Sequence, residues 1–333
     1  MVALQLSLPG RSLAKLPALS NKIEQLGYRA LWVGEVNAFD AVVPATTIAC
    51  NTESIMIAAL FNVYTRAPTN VALSGAGLAH LAPGRVALVL GASSPLLVQR
   101  WNGIPHVHPY DRVRDYLRFV RSAFSGERVN EEFATFTSET FTLDAPPSKP
   151  PEIFIAAAMP RMIGLASESA DGVVLNWIAP HDLDSLESLR CDRDRVWLSM
   201  IVCPTRDLAL VDAMVRPLVS DYLAVPAYAS LQRRAGRGPA LESMWECWIA
   251  GDRHGARSQL PRSVIDELVI SGDPEECGQR IGRAEEHYGI QIIATILLPE
   301  VADYDDVITR ISHSRWKGAQ APSLPDSSPR GTH

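Results

Sequence analysis

The sequence predicts an α/β protein and, within that class, a closed (β/α)8 TIM barrel with a helical insertion between strands 7 and 8. Three observations predict it. Short apolar segments of strand length alternate with helix-periodic segments along nearly the whole chain, and the strand-like segments number eight. Several of them are apolar at consecutive positions, as strands covered on both faces of a parallel sheet must be. One stretch, residues 205–261, breaks the alternation with several helices in a row.

The elements follow in order. Residues 3–8 (ALQLSL) form the first strand. Ser12 can cap the next helix, whose stripe is Leu13, Leu16, Leu19, Ile23 and Leu26, and Gly27 stands where a left-handed stop belongs. Strand 2 is 30–34, followed by a weaker helix over 40–51. Strand 3 is the apolar run 54–61 (SIMIAALF). Pro68 opens a helix of small residues to His80, and 85–90 is strand 4, ending at Gly91. Pro109 starts an amphipathic helix striped by Val113, Tyr116, Leu117, Val120 and Phe124. Residues 133–143 alternate like a surface hairpin. Strands at 153–157, 172–176 and 196–202 are separated by helices at 161–170 and 181–190. The last strand, 292–298, follows a helix with Asp273 as cap, Pro274 at its first position, Glu276 at its third and Gly289 beyond its end. Residues 1–320 thus make one barrel domain, with 205–261 lying over the face where barrel chemistry sits. The Pro/Ser-rich tail, 321–333, is expected to be disordered.

The bulk properties narrow the function. The chain has 333 residues, 47% apolar and 20% charged, with a net charge of -6. That length buries a large core without staples, and the negative balance argues against nucleic acid. No run of about 18 apolar residues predicts a membrane span. Residues 1–10 read as a strand and a turn, without the features of a secretory signal. Five scattered cysteines without a CxxC pair suit reduced thiols and a cytoplasmic location. No metal site is expected, since His106 and His108 have no evident third ligand. Gly84 and Gly91 do not form a GxGxxG element.

Candidate site residues gather at strand ends. Glu35 follows strand 2 and is either an acid or base at the mouth or a partner for a nearby Arg or Lys. Gly91, Ala92, Ser93 and Ser94 end strand 4, where small residues let backbone approach a flat ligand and the serines either donate to it or cap a helix. Ala158, Met159, Pro160, Arg161 and Met162 span a strand-to-helix junction. Free N–H groups there, with Arg161, suit a phosphate. Tyr222, Tyr228, Trp245 and Trp248, on the inserted helices, are expected to shape a substrate pocket. Arg112, Arg114 and Asp115 are expected on a solvated helix face or a dimer contact.

Four segments, ALWVGEVNAFDA from Ala30, AALFNVYTRAPTNVA from Ala58, GRVALVLGASSP from Gly84 (followed by WNGIPHVHPYDRVRDYL) and IFIAAAMPRMIGLASESADGVVLNWIAP from Ile153, together resemble the luciferase-like monooxygenase superfamily, in particular its deazaflavin-dependent branch. SGDPEECGQRI from Ser271 is similar to the start of the family's C-terminal helix. Order and spacing match from about residue 3 to 300, apart from the inserted helices. The resemblance implies coenzyme F420 at the mouth and hydride transfer to or from a small organic substrate. It implies that Ala59 and Leu60 press on the back of the ring, through a cis peptide bond unless this is a plain buried strand, and that Asn62 meets the ring's polar edge. Asn176 and Trp177 resemble the next contact with the phosphate tail, Trp177 also being open to simple packing. A homodimer through the helices at 42–51 and 68–80 is implied as well. The chain departs from the family where Glu35 and Val36 replace Asp-His and where Met159 replaces a glycine. Three other functions stay open: an FMN-dependent two-component monooxygenase using molecular oxygen, a non-catalytic flavin-binding protein on a degenerated barrel, and a barrel lyase or hydrolase without a redox cofactor.

Overall fold

The structure, a computed structural model, describes residues 2–6, 12–35, 37–298 and 302–315. Among the described residues eleven strands are formed: β1 (Ala3–Gln5), β2 (Ala30–Gly34), β3 (Met56–Asn62), β4 (Val86–Gly91), β5 (Val129–Glu132), β6 (Thr137–Phe141), β7 (Glu152–Ala157), β8 (Gly172–Asn176), β9 (Val196–Cys203), β10 (Val269–Ser271) and β11 (Gln291–Ile296). Eight of them close a parallel barrel in the order β1-β2-β3-β4-β7-β8-β9-β11, with β11 returning to β1. The expected α/β barrel is therefore the fold. Strands β5 and β6 make the antiparallel surface hairpin.

Helices surround the barrel: α1 (Leu16–Gln25), α2 (Val42–Asn51), α3 (Pro68–Leu81), α4 (Pro109–Phe124), α5 (Pro160–Ser169), α6 (Leu208–Leu223), α7 (Pro226–Arg234), α8 (Gly238–Ile249), α9 (Arg253–Gln259), α10 (Arg262–Leu268), α11 (Pro274–Tyr288) and α12 (Tyr304–Arg315). The capping chemistry read from α11 is present: Asp273 accepts from Glu276 N at 2.8 Å and Glu276 accepts from Asp273 N at 3.1 Å. Among the described residues no helix is long and apolar enough to cross a membrane. The tail 321–333 lies outside the described residues.

Two local expectations need correction, and one strand is added to those expected. Residues 181–190 form one 3-10 turn (Pro180–Ser185) instead of a helix, because Asp182 folds back to accept from Ala179 N and closes the segment. Strand β10 went unseen in the sequence. It is three residues long and follows directly on the helical period of α10. It pairs with the end of β9, Val269 opposite Ile201, whereas β8 pairs with the start of β9, Val173 opposite Val196. The inserted helices α6–α10 thus return to the barrel beside β9. Finally, no cis peptide bond occurs among the described residues. The Ala59–Leu60 bond is trans, within an unbroken ladder to β4 (Ala59 to Leu88, Leu60 to Val89).

Side-chain alternation sorts the strands into two faces. Leu31, Val33, Ile57, Ala59, Phe61, Leu88 and Leu90 pack outward into the core beneath the helices. Ala30, Trp32, Ala58, Ala87, Val89, Phe154, Val174 and Trp197 pack inward. The lower interior is plugged by three rings: Trp32 lies 5.2 Å from Trp197 and 6.0 Å from Phe154, and Phe154 lies 5.8 Å from Trp197. Gly172 makes room for that plug. A Cβ there would fall 2.6 Å from Phe154 Cδ1.

Candidate active site

Above the aromatic plug the inward positions change character. Gln5, Gly34, Leu60, Ala156, Asn176, Ser199, Ile201 and Thr295 continue the inward face of seven strands, and all are half-exposed, whereas most of their outward neighbours are buried. Parallel strands bring these C-terminal ends to one mouth. The barrel is filled below and open above, the usual location of chemistry in this fold. Polar residues interrupt this rim. Thr295 Oγ1 donates to Gln5 Oε1 at 3.2 Å across adjacent strands.

Asn62 sits at the mouth end of β3 with inward parity, opposite Gly91. It is 5% exposed. Its Oδ1 accepts from Tyr64 N at 2.9 Å, which forces the amide nitrogen to the other side, and there Nδ2 finds no partner. Trp32 Nε1, on the same interior face, is also buried without a partner. Buried donors are ordinarily satisfied, so the orphan of Asn62, at the mouth end, makes it a candidate to meet an acceptor group, whereas Trp32 lies within the plug. Gly91 faces the same space: a Cβ there would lie 3.7 Å from Ala156 Cβ, so glycine leaves the interval between β4 and β7 open.

The loops beyond β3 and β4 are held from behind. His106 contacts the Ala92 carbonyl at 3.0 Å and lies against Tyr64, with rings 4.8 Å apart. Tyr64 donates to Val107 O at 2.6 Å, Arg112 Nε to Val63 O at 2.7 Å, and Tyr116 to Arg66 O at 2.6 Å. The expected solvated face on α4 is thereby corrected. Asp115 is fully buried and accepts from Thr135 N and Oγ1, both at 2.9 Å.

Glu35 is not aimed into the mouth. Counting from Trp32 and Gly34 gives it outward parity, and its Oε1 accepts from Arg66 Nε and lies 2.5 Å from Nη2 of the same guanidinium. The same oxygen accepts from Ala41 N at 3.3 Å. Of its two expected roles, pairing with a nearby cation describes its placement. Glu35, Thr65, Arg66, Ala67 and Asn70 line an open cleft of about 350 Å³ between the second and third βα loops. Val36 lies outside the described residues.

The remaining candidates divide. Leu60 faces the mouth, but Ala59 is fully buried on the helix side, so its side chain does not border the site. Ser93 is exposed with φ +57°, and Ser94 Oγ is 3.5 Å from Leu97 N, in its capping role. Met159 is the exposed N-cap of α5 and supplies no side-chain cap. The first backbone bond of that helix runs from Ile163 N to Met159 O, which leaves the N–H groups of Arg161 and Met162 outside the ladder. Ala158, before them, is half-buried at the end of β7. Arg161 is exposed, with its guanidinium 4.2 Å above the Tyr110 ring. Met162 turns its side chain into the core, so only its backbone serves this end.

The inserted helices contribute unevenly. Tyr228, on α7, is hydrogen-bonded to the side chain of Asn176, and burial pushes its phenol above the usual tyrosine range although that bond acts the other way. Trp177 stacks on Tyr222 with centroids 4.6 Å apart and meets the edge of Tyr228 at 6.5 Å. Trp177 holds φ +59°, a left-handed conformation costing on the order of 1–3 kcal/mol for a residue with a side chain. Trp245 and Trp248 do not join this group. Trp245 is 4% exposed inside the insertion, donates to Leu223 O at 2.9 Å and is covered by Arg233. Trp248 is covered by Arg253 at 3.5 Å. Both rings pack the helices of the insertion together instead of walling a pocket. Residues unmarked in the sequence reading also belong here. Gln5, Ser199 and Thr295 carried a signal, being polar residues at inward parity in apolar strands. Gln232 and Arg237 carried none.

A closed parallel barrel, plugged below and polar at an open mouth, defines a TIM-barrel protein whose candidate site is its C-terminal face. The chain belongs to the luciferase-like monooxygenase family, whose model matches residues 3–290. It is 31% identical over 284 residues to the F420-dependent hydroxymycolic acid dehydrogenase of Mycobacterium tuberculosis, covering 77% of each chain. It is 25% identical over 289 residues to 5,10-methylenetetrahydromethanopterin reductase of Archaeoglobus fulgidus, covering 81% of this chain and 86% of that one. The fold is similar to that of the coenzyme F420-dependent tetrahydromethanopterin reductase of Methanopyrus kandleri, with a TM-score of 0.75 at 19% identity, covering 94% and 97% of the two chains.

Proposed function

We propose that the protein is an F420-dependent oxidoreductase that transfers a hydride between the deazaflavin and a small organic substrate at the barrel mouth. The observation that carries this is the unpartnered, buried amide nitrogen of Asn62 over a half-exposed ring of inward residues, in a chain similar to a dehydrogenase and a reductase that are both named for F420. Asn62 would meet the polar edge of the ring, Leu60 its back, and Gly91 with Ala92 the space a flat ligand needs. The first turn of α5, with Arg161, would take the phosphate, beside Asn176 and Trp177. The bound deazaflavin supplies a carbon that carries hydride. The chain's part is to orient donor and acceptor and exclude water. Tyr222 and Tyr228 face the substrate in this reading, and Glu35 holds the second βα loop through Arg66.

The proposed homodimer joins α2 and α3, where Val43, Leu73 and Leu81 are 50%, 55% and 49% exposed. Sedimentation of the purified protein tests it, and a monomer at micromolar concentration refutes it.

The function is tested by anaerobic fluorescence titration of the purified protein with F420 and, separately, with FMN. Saturable binding of F420, with FMN at least about tenfold weaker, supports the reading, tenfold being 1.4 kcal/mol. Preference for FMN with consumption of oxygen would instead support the monooxygenase, and binding of neither would leave a barrel without a redox cofactor.

A further inference from the structure

The loop after β8 is tied to the inserted helices through a chain of buried polar groups. Gln232, fully buried near the end of α7, donates from Nε2 to the Trp177 carbonyl. A carbonyl only accepts, so the amide orientation is fixed and Oε1 is left to accept from Arg237 Nη1, at 3.3 Å. Arg237 is 6% exposed and pairs with Asp182 at 2.8 Å. Asp182 in turn accepts from Ala179 N at 2.9 Å. Arg237 Nε also donates to Glu267 on α10 at 2.7 Å. The carbonyl of Trp177 is thus gripped directly from the insertion, while the N–H of Ala179 is held by Asp182 of the same loop, which Arg237 of the insertion pairs with in turn. The gripped residue is the one with positive φ, and its ring lies against Tyr222. Left-handed backbone in a bulky residue persists only when its surroundings enforce it.

We propose that Gln232 and Arg237 are positioning residues that hold Trp177 in its left-handed setting, so that the inserted helices fix one wall of the cofactor site. This rests on the F420 reading for its functional readout only. Gln232→Glu separates the roles: a carboxylate still accepts from Arg237 but cannot donate to the Trp177 carbonyl. Trp177→Gly removes both the ring and the strain, so a loop carrying it no longer needs the grip.

The test has two readouts. In protein labelled with 5-fluorotryptophan, the resonance lost in Trp177→Phe identifies position 177, and Gln232→Glu shifts or broadens it without any ligand. In titration with F420, Gln232→Glu raises Kd about tenfold, and this effect disappears in the Trp177→Gly background. An unmoved resonance in folded Gln232→Glu, or effects on Kd that simply add, overturns the proposal. Should Gln232→Glu not fold, Arg237→Lys is judged by the same criteria, since its single ammonium cannot hold Gln232, Asp182 and Glu267 together. A shifted resonance with no F420 binding in the parent protein refutes the cofactor reading and leaves the positioning role standing.

Discussion

Arg66 closes on Glu35 with Nε and Nη2 each 2.5 Å from the same carboxylate oxygen, both side chains at least four-fifths buried. The pair staples the loop after β3 to the loop after β2, and Ala41 N joins it at the start of α2. A carboxylate so engaged already has its charge matched and one oxygen occupied.

Glu35→Gln is therefore expected to behave as a stability variant. It should lower stability by roughly 1.5–3 kcal/mol, the range for hydrogen bonds to charged groups. At about 2–4 °C per kcal/mol the melting temperature should fall by several degrees. The pH dependence of turnover should keep both limbs. An unchanged melting temperature together with loss of one limb of that profile would restore Glu35 as the proton carrier.

Asn62→Ala tests the mouth itself. The substitution forfeits the bond from Tyr64 N but also removes a buried donor without a partner. Those terms are each about 1 kcal/mol and opposite in sign, so stability should hardly change. Affinity for F420 should fall about tenfold, 1.4 kcal/mol, if the amide meets the ring. Calorimetry and titration on the same sample check both halves. A variant that binds F420 like the parent removes Asn62 from the site.

How much of this was legible in the sequence depends on the reach of the signal. Strands such as β3 and β4 are covered on both faces, so a continuous apolar run marks them without knowledge of their partners. β10 has three residues and no period to detect. Glu35 illustrates a finer limit. The inward parity of Trp32 carried to residue 35 puts the side chain outside the barrel, but alternation need not persist beyond a strand's end, and Arg66 lies 31 positions away. Trp245 and Trp248 looked like pocket walls because aromatic residues in an insertion over the mouth have two destinations, and only packing tells them apart. Gln232 and Arg237 are neighbours on the insertion, but each meets a partner 55 residues earlier, Trp177 and Asp182, with no shared periodicity, so nothing in the sequence links them.

Gly172→Ala tests the plug beneath the site. The added Cβ would stand 2.6 Å and 2.8 Å from Phe154 Cδ1 and Cε1. That ring cannot retreat easily, since Trp32 and Trp197 fill the space beyond it. Overpacking of this kind costs about 1–3 kcal/mol. A lower denaturation midpoint at unchanged slope is the expected result. An unchanged midpoint would mean the three rings are not packed as described.

Glu24 links pH to stability. On α1 it accepts from Ser54 N at 2.6 Å, Ile55 N at 2.8 Å, and Glu53 N and Ser54 Oγ at 3.0 Å, closing the turn that leads into β3. Partial burial alone would raise its pKa, but these hydrogen bonds outweigh it and hold the carboxyl below its ordinary 4.5. A depressed folded pKa means that the unfolded chain takes up the proton first as pH falls. The contribution is thus complete above the unfolded value near 4.5 and is lost as pH drops through the lower folded value. Glu24→Gln, which keeps the shape and drops the charge, should be less stable than the parent at pH 7. The gap should hold to about pH 5 and narrow steadily below it. Chemical denaturation of both proteins from pH 7 to pH 3 measures this, and a gap that stays constant or widens on acidification would show that the turn does not depend on the charged form of Glu24.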